Sequence, residues 1–437
     1  MDQPPHQPEW SRLPRHILFE IARRLNQTTA AAASPVNTLR LRSVCKSWRS
    51  AIPAFKQQRE TLHFPLDLPF PVTPNPNHDL RGCFSLSQST VHFLQPPSKP
   101  SSLPWLLRVE EKDAEKGKWK ALNPLSKVST DSLPRWFPKS LDLLDLRVSV
   151  IGAAYALRFV DEESNKKKNK NKNKDDWTTR TIKALMEQSD GSSRGVVGAV
   201  DATLAEKFKS TLILRVAVSP SPWSGGDGGH DYAVAAIHGQ GKLGFYKLGD
   251  EKWTPVSDES RYHDVVYHGG RFYAVDYQGG AVVIDSDLKA KKAVPPFPGN
   301  GQAPRGGQIK SLVESGDGQL YLVDKYPGSI REVHVKVYKL DETKKEWERV
   351  HRLNDQVFFV GDDCSCSVSA QDFPALKGNC VYFPVKCYNV YGGEDVCDGV
   401  QDLESGVCGP VEVFQPDRMT MFTLPTWLKP KPRASKK

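Results

Sequence analysis

The eight cysteines are the side chains best able to hold a metal ion in this 437-residue sequence. A structural zinc site normally uses close pairs of cysteine or histidine, separated by two to four residues. The closest pair here, Cys364 and Cys366, has one residue between its members, and every other pair has at least six. This spacing predicts no metal site, and we expect reduced, unpaired thiols at Cys45, Cys83, Cys364, Cys366, Cys380, Cys387, Cys397 and Cys408.

Histidine and serine side chains offer the other candidates for chemistry. His238, His263 and His268 lie at the ends of predicted strands or turns, and no spacing brings them together as ligands. Ser367 and Ser369 have no histidine near them in sequence, and the strained G-x-S-x-G turn of serine hydrolases is absent. We therefore predict no catalytic residue and no cofactor.

A tract of lysine and asparagine, residues 165–174, holds most of the excess positive charge. The formal net charge is +9, and six of these charges lie in the tract, which leaves +3 for all other residues. A nucleic-acid-binding domain usually spreads its positive charge over a folded face, so we do not expect a nucleic acid partner. Residues 164–176 are predicted to be a solvated insertion, with a second interpretation as a nuclear-import signal formed by Lys166, Lys167, Lys168, Lys170, Lys172 and Lys174.

The hydropathy pattern predicts neither a membrane segment nor a secretory signal. The longest apolar run, Val148–Leu157, has ten residues, about half of what a helix needs to cross a bilayer. The first ten residues are polar and rich in proline, so they cannot form the apolar centre of a signal peptide. We expect a protein of the nucleus, the cytoplasm or both.

Residues 10–55 show the periodicity of short helices, after a tail at residues 1–9 that is predicted to be disordered. Two apolar stripes fall at helical spacing. The first is Ile17, Leu18, Ile21 and Leu25, and the second is Leu41, Val44, Cys45 and Trp48. Helices this short need a partner surface to remain folded. The segment therefore predicts a small all-α module that packs against something else.

From about residue 61 to residue 428 the pattern changes to short β-strands, followed by a basic tail at residues 429–437. Glycine pairs at 269–270 and 279–280 separate β-prone runs, and such pairs form hairpin turns because both residues can adopt positive φ. Residues 263–285 therefore predict three consecutive antiparallel strands. Alternation assigns most of the aromatic side chains in this stretch to packing, in preference to a platform for stacking bases.

The strand patterns also repeat along the chain. Phe272–Asp276 matches Leu320–Asp324 at an offset of 48 residues, and Trp253 and Trp347 follow matching strands 94 residues apart. A period of 40 to 50 residues with four strands is typical of propeller blades. Dividing the β region by 47 and allowing for the lysine insertion predicts an all-β propeller of six or seven blades.

The two ends of the helical segment together resemble the F-box, a three-helix module. Leu13-Pro14 opens the segment, and Val44-Cys45-Lys46-Ser47-Trp48-Arg49 closes it. The stretch from Leu25 to Leu39 is several residues longer than is usual for this family. The resemblance implies docking on a Skp-type adaptor protein, which connects to a cullin, a RING subunit and a ubiquitin-charged E2.

The resemblance also implies which residues bind the adaptor. They are Leu13, Pro14, Ile17, Leu18, Ile21, Leu25, Leu41, Val44, Cys45 and Trp48. We expect the first four to face the adaptor, and Leu41, Val44 and Trp48 to be shared between the interface and the module's own core.

The β region resembles the KIB-type propeller of plant F-box proteins. The segments that carry the likeness are 107–110, 122–125, 357–363, 367–370, 372–374 and 377–383. This implies a non-catalytic substrate-recognition subunit of an SCF-type ubiquitin ligase, whose propeller recruits an unidentified target protein. Two alternatives stay open: a nuclear scaffold or transcription-associated protein that uses the F-box without cullin, and a propeller enzyme.

Overall fold

The structure, a computed structural model, describes a helical segment and most of the β region. The described residues are 13–14, 17–18, 21, 41–51, 64–69, 82–96, 103–113, 118–126, 146–161, 213–219, 232–239, 241–256, 260–285, 288–297, 307–326, 333–388, 394–415 and 421–422. Leu25, the lysine insertion at 164–176 and the tails at 1–9 and 429–437 lie outside them. Residues 17–18, 21 and 41–43 are helical, and helix α1 spans Lys46–Ala51.

Five strands form the first sheet. Long strand β2 is its centre, because β5 pairs along one edge of β2 while β1 and β3 share the other edge, and β4 pairs with β3. The strands are β1 (Leu66–Leu68), β2 (Gly82–Gln95), β3 (Trp105–Asp113), β4 (Lys118–Leu122) and β5 (Arg147–Asp161).

The next three sheets are four-stranded antiparallel meanders in which consecutive strands are neighbours. The second sheet contains β6 (Ile213–Val218), β7 (Ala233–His238), β8 (Lys242–Lys247) and β9 (Thr254–Pro255). The third contains β10 (Tyr262–His268), β11 (Arg271–Asp276), β12 (Ala281–Ile284) and β13 (Ala290–Val294). The fourth contains β14 (Ile309–Glu314), β15 (Leu320–Tyr326), β16 (His334–Asp341) and β17 (Glu346–Val350).

The fifth sheet departs from this meander. Its order is β19-β18-β20-β21-β22, and β18 runs parallel to β20. The strands are β18 (Gln356–Val360), β19 (Ser365–Ser369), β20 (Cys380–Tyr388), β21 (Glu394–Asp402) and β22 (Cys408–Pro410), followed by helix α2 (Val411–Phe414).

The five sheets close into a ring. Strands β5, β6, β10, β14 and β19 each contact the next one in this order, and β19 contacts β5. An apolar core fills each of the five junctions between neighbouring sheets. At the junction of the second and third sheets, for example, Phe245 packs against Phe272 with ring centroids 5.3 Å apart. The described residues therefore form a five-bladed propeller.

The prediction of six or seven blades is wrong. Dividing the chain by a constant period counts residues 61–161 as two repeats, but β1–β5 from this stretch form one sheet. The period fails there because β2 and β5 have 14 and 15 residues, more than twice the six of β6 or β7. Residues 162–212, which the division also counted, lie outside the described part of the chain.

The predictions for residues 263–285 are confirmed. Strands β10, β11 and β12 are consecutive and antiparallel. Gly269 and Gly270 form the first turn with φ of 55° and 85°, a conformation that glycine adopts without steric cost. At the second turn Gly280 donates its N–H to Asp276 Oδ1 at 2.8 Å, and a Cβ at Gly280 would lie 2.6 Å from the other oxygen of that carboxylate.

The repeats found in the sequence correspond to equivalent strands. Phe272–Asp276 is all of β11 except its first residue, and Leu320–Asp324 is the first part of β15. Both segments therefore belong to the second strands of their sheets. Trp347 donates its indole N–H to Gly279 O of the preceding sheet at 2.8 Å. Trp253 does the same to Pro69 O, beside β1, at 2.9 Å. The repeated tryptophans therefore connect the second sheet to the first and the fourth sheet to the third.

Candidate functional site

The N-terminal helical module has a small apolar core of its own. Leu18, Leu41 and Trp48 are buried, and the half-buried side chains that pack against them are Leu13, Ile21 and Cys45. Within the part of the module that the structure describes, these three buried side chains remove little apolar surface from water, so they contribute little stability by themselves.

Local hydrogen bonds explain how the two ends of the module are shaped. The carbonyl of Pro14 accepts the N–H groups of Ile17 and Leu18, both at 3.1 Å, and a proline is tolerated here because a first-turn N–H has no helical partner. Before α1, the thiol of Cys45 accepts the N–H of Trp48 at 3.5 Å, which satisfies one of the donors left free at the start of a helix.

Three apolar residues of the module face solvent. Pro14 is exposed, Ile17 is 40% exposed and Val44 is 55% exposed. They alternate with the core residues along the chain, since Ile17 precedes buried Leu18 and Val44 lies between buried Leu41 and Trp48. The module therefore has one apolar side turned inward and another that is uncovered.

The structure separates the ten predicted adaptor-binding residues into groups. Leu18, Leu41 and Trp48 lie in the module's own core, and Leu13, Ile21 and Cys45 are half-buried against it. Leu18, which we expected to face the adaptor, is only 1% exposed. The accessible apolar groups are Pro14, Ile17 and Val44, and Leu25 lies outside the described residues. Adaptor binding by these residues stays a prediction.

A buried ion pair joins the first and fifth sheets. Arg108 on β3 donates two hydrogen bonds to the Asp363 carboxylate, at 2.6 and 2.9 Å, and its Nε donates to Ser89 Oγ at 2.7 Å. The two charged side chains are 4% and 6% exposed. Two parallel bonds between guanidinium and carboxylate fix both position and orientation. This pair defines how the last sheet meets the first.

Asn123 makes a second connection across the same junction. Its side-chain amide donates to Asp398 on β21 at 3.2 Å, and its side-chain oxygen accepts the N–H of Leu125 at 2.8 Å. The Leu125 carbonyl in turn accepts the N–H of Asp362 at 3.0 Å. Sequence reasoning picked out the segments 107–110, 122–125 and 357–363 as family-like but not their contact, because the two halves are about 240 residues apart.

Two of the histidine and serine candidates, His263 and Ser367, occupy structural positions. Burial lowers the pKa of His263 to about 4, with Arg215, Lys310 and Lys325 adding to the effect, and its Nδ1 lies 2.9 Å from Lys310 O. Ser367 donates to Glu314 O at 2.8 Å, which links the fifth sheet to the fourth. Among the described residues, no three histidine, cysteine or acidic side chains are grouped as metal ligands.

The expectation that every cysteine is unpaired is wrong, because Cys397 is disulfide-bonded. Cys397 lies on β21, opposite Val385 of β20. Antiparallel pairing brings distant residues within reach of each other, and linear spacing does not reveal this. The free cysteines among the described residues are Cys45, Cys83, Cys364, Cys366, Cys380 and Cys408.

No helix within the described residues combines the length and the apolar character needed to cross a membrane.

Two protein-family models match the sequence. The KIB1-4 β-propeller model matches residues 83–413, and the F-box domain model matches residues 10–56. The F-box protein SKIP23 of Arabidopsis thaliana is 30% identical over 98% of this chain and 97% of its own length. The putative F-box protein At5g60060 of Arabidopsis thaliana is 29% identical over 82% of this chain and 83% of its own length.

The solved structures that match are more distant. YCF48 from Cyanidioschyzon merolae covers 61% of this chain and 73% of its own length, at 10% sequence identity and a TM-score of 0.24.

Proposed function

Since the chain belongs to the plant F-box proteins with a KIB1-4 β-propeller, we propose that it is the substrate-recognition subunit of an SCF-type cullin-RING ubiquitin ligase. The helical module binds a Skp-type adaptor, and the adaptor connects it to a cullin and a RING subunit. The propeller binds the protein that is to be ubiquitinated.

The observation that carries this proposal is the uncovered apolar surface of the module. Pro14, Ile17 and Val44 face solvent, while Leu18, Leu41 and Trp48 are buried among the described residues of the module. Burying such residues against the helices of another protein removes them from water and supplies the packing that the small core lacks. This is the arrangement expected of a module that is completed by a partner.

The propeller suits the recruiting role because its closed ring of sheets is a rigid scaffold from which loops project. Five interlocked apolar cores and the Arg108–Asp363 pair hold the ring. The loops at its two ends can therefore vary to bind a target, as loops on a rigid scaffold usually do. The protein needs no bond chemistry of its own, since joining target and E2 in one complex raises their effective concentration.

The proposal is tested by expressing the full-length protein in plant cells and recovering it with its bound partners. The wild-type protein is expected to bring down both the Skp-type adaptor and the cullin. Ile17→Asp places a charge on the uncovered surface and should remove both partners from the recovered complex. The matched control is Val413→Asp, an equally drastic change at a 68%-exposed apolar residue of α2 in the propeller, which should leave recovery unchanged.

Each result distinguishes between functions. Recovery of the adaptor without cullin would replace the ligase proposal with a scaffold that uses the F-box alone. Undiminished adaptor binding by Ile17→Asp would contradict the assignment of the surface. Thermal unfolding of the propeller should be the same for both variants and the wild type, which ensures that loss of binding is not loss of folding.

We also propose that the protein works in the nucleus as well as the cytoplasm, on the strength of the six lysines between Lys166 and Lys174. Replacing all six with serine should shift a fluorescent fusion towards the cytoplasm without changing adaptor recovery. An unchanged distribution would contradict the import role.

A further inference from the structure

A cavity of about 420 Å³ opens between the third and fourth sheets. It lies at the end of the propeller where strands β14 and β15 are joined and where β16 turns into β17. The groups that give it its chemical character are His268, Gln319, Lys339, Asp341, Glu342 and Glu348. Its volume is in the range of sites that enclose a small ligand or a large side chain.

The cavity lies on the acidic end of the fourth sheet. The two turns there, residues 314–320 and 341–346, carry five carboxylates and two ammonium groups. At the opposite end of the same sheet, Lys325, Lys336 and His334 lie near one carboxylate, Asp324, which is itself buried against Lys310. The charge difference between the two ends directs a positively charged partner to the cavity end.

One carboxylate of the cavity is held in place from the neighbouring sheet. Tyr273 on β11 donates its hydroxyl to Glu342 at 2.6 Å, and Arg271 donates to the same carboxylate at 3.2 Å. The bond from Tyr273 and the charge of Arg271 lower the pKa of Glu342. Glu342 is therefore ionised and oriented before any ligand arrives.

Another carboxylate of the lining, Glu348, is exposed, and its charge acts on nearby Lys344. The imidazole of His268, by contrast, lacks a hydrogen-bond partner. The imidazole of His268 is 11% exposed and its Nδ1 is buried without a hydrogen bond, with Glu314 Oε1 at 3.4 Å as its nearest charged neighbour. A buried polar group without a partner is costly unless something else satisfies it. The unsatisfied imidazole beside the carboxylates of the lining points to a bound donor.

We propose that this cavity binds an arginine or lysine side chain from a basic segment of the target protein, with Glu342 and Glu348 as the main acceptors. The proposal rests on the recruiting role argued above and specifies the chemistry of the recruited protein. An anionic group would meet three carboxylates and one ammonium in the lining, and an apolar group would offer the imidazole of His268 no hydrogen bond. A cationic donor matches both the charge of the lining and this missing hydrogen bond.

The test measures binding of a labelled peptide to the full-length protein by fluorescence anisotropy. The probe is a hexapeptide of glycine and serine with one central arginine, and its partner probe has citrulline instead, which keeps the shape but removes the charge. We expect the arginine peptide to bind at least fivefold more tightly, and more weakly as salt is added. Equal binding of the two peptides, or binding of neither, would overturn the proposal.

Variants locate the binding in the cavity. Glu348→Gln should weaken binding of the arginine peptide at least fivefold, whereas Glu348→Asp should retain most of it. The matched control, Glu404→Gln, removes the same charge from an exposed carboxylate outside the cavity, which follows β21 and pairs with Arg352, and should have no effect. If both glutamine variants behave alike, the cavity is not the binding site.

Adaptor recovery from the same samples separates this proposal from the proposed function. Glu348→Gln should recover the adaptor and the cullin normally. If the wild type binds the arginine peptide but recovers no adaptor, the ligase role is contradicted and the cavity proposal stands. If the wild type recovers the adaptor but does not bind the arginine peptide, only the cavity proposal is contradicted.

Discussion

The helical module and the propeller manage their apolar surface in opposite ways. In the part of the module that the structure describes, Leu18, Leu41 and Trp48 are buried, whereas Ile17 and Val44 are 40% and 55% exposed. The propeller encloses a separate apolar core at every junction between its sheets, and its closing junction adds the buried pair Arg108–Asp363. The propeller covers these apolar side chains with residues of its own chain, whereas the module leaves part of its apolar surface exposed.

This difference indicates where stability and where binding reside. Substitutions inside the propeller should change the free energy of unfolding, because they disturb contacts that are already made. Substitutions on the uncovered surface of the module should leave that free energy nearly unchanged and affect binding. The predictions below test each side of this contrast in order of expected effect on stability.

Arg108→Leu should have the largest effect. It removes a buried guanidinium and leaves the Asp363 carboxylate without its bidentate partner, which typically costs about 3–5 kcal/mol. Urea unfolding of the full-length protein measures this change. Arg271→Leu is the control, because its pair with Glu342 is 40% and 54% exposed and should contribute at most about 1 kcal/mol. Equal losses of unfolding free energy in the two variants would show that the buried pair contributes no more stability than the exposed one.

Acid should weaken the propeller through two buried histidines. Burial lowers the pKa of both His92 and His263 from 6.5 to about 4. Between these values the unfolded chain takes up protons that the folded chain excludes, so stability is complete above pH 6.5 and falls as the pH drops towards 4. We expect a loss of about 2 kcal/mol per histidine between pH 7 and pH 5.

Asp398 opposes this trend, since burial raises its pKa to about 6. Its folded form binds a proton more readily than its unfolded form, so it adds stability as the pH falls through 6. The combined shift of the two histidines is larger than that of Asp398, so these three groups together should still lose stability on acidification. His263→Gln should make the slope shallower, and an unchanged slope would contradict the assignment.

Trp347→Phe should have an intermediate effect. It removes the indole N–H that Gly279 O accepts at 2.8 Å, and a buried carbonyl left without a donor costs about 1–3 kcal/mol. Trp253→Phe removes the equivalent bond to Pro69 O and should cost a similar amount. Trp119→Phe is the control, because this side chain is 62% exposed and its substitution should stay within about 0.5 kcal/mol. A loss for Trp119→Phe as large as the other two would contradict this account.

Local features of the chain were readable from the sequence, and long-range ones were not. Gly269-Gly270 revealed a hairpin because positive φ is a property of the residues themselves. The spacing of Trp253 and Trp347 revealed equivalent strands because it reflects a constant strand length. The blade count failed where strand length changes, and the contact of Arg108 with Asp363 was not predictable because 255 residues separate the two.

The binding surface shows the same division. Helical spacing identified the apolar stripes that contain Leu18 and Val44, but it treats every member of a stripe alike. Only three-dimensional packing distinguishes Leu18, which is 1% exposed, from Val44, which is 55% exposed. The cavity between the third and fourth sheets was not predictable from the sequence. Its lining comes from several strand ends, and none of these has an unusual sequence by itself.

Val44→Ala should have the smallest effect on stability and the clearest effect on binding. Val44 is exposed, so its truncation should change the free energy of unfolding by less than about 0.5 kcal/mol. Leu41→Ala, three residues earlier on the buried side, should instead destabilise the module by about 2–5 kcal/mol, because it opens a cavity in a core of three side chains. Both variants should recover less Skp-type adaptor than the wild type, Val44→Ala through lost contact and Leu41→Ala through lost folding. Circular dichroism and adaptor recovery, measured on the same preparations, distinguish the two causes. If Val44→Ala recovers the adaptor as well as the wild type does, the uncovered side of the module is not where the partner binds, and the contrast with the propeller loses its functional meaning.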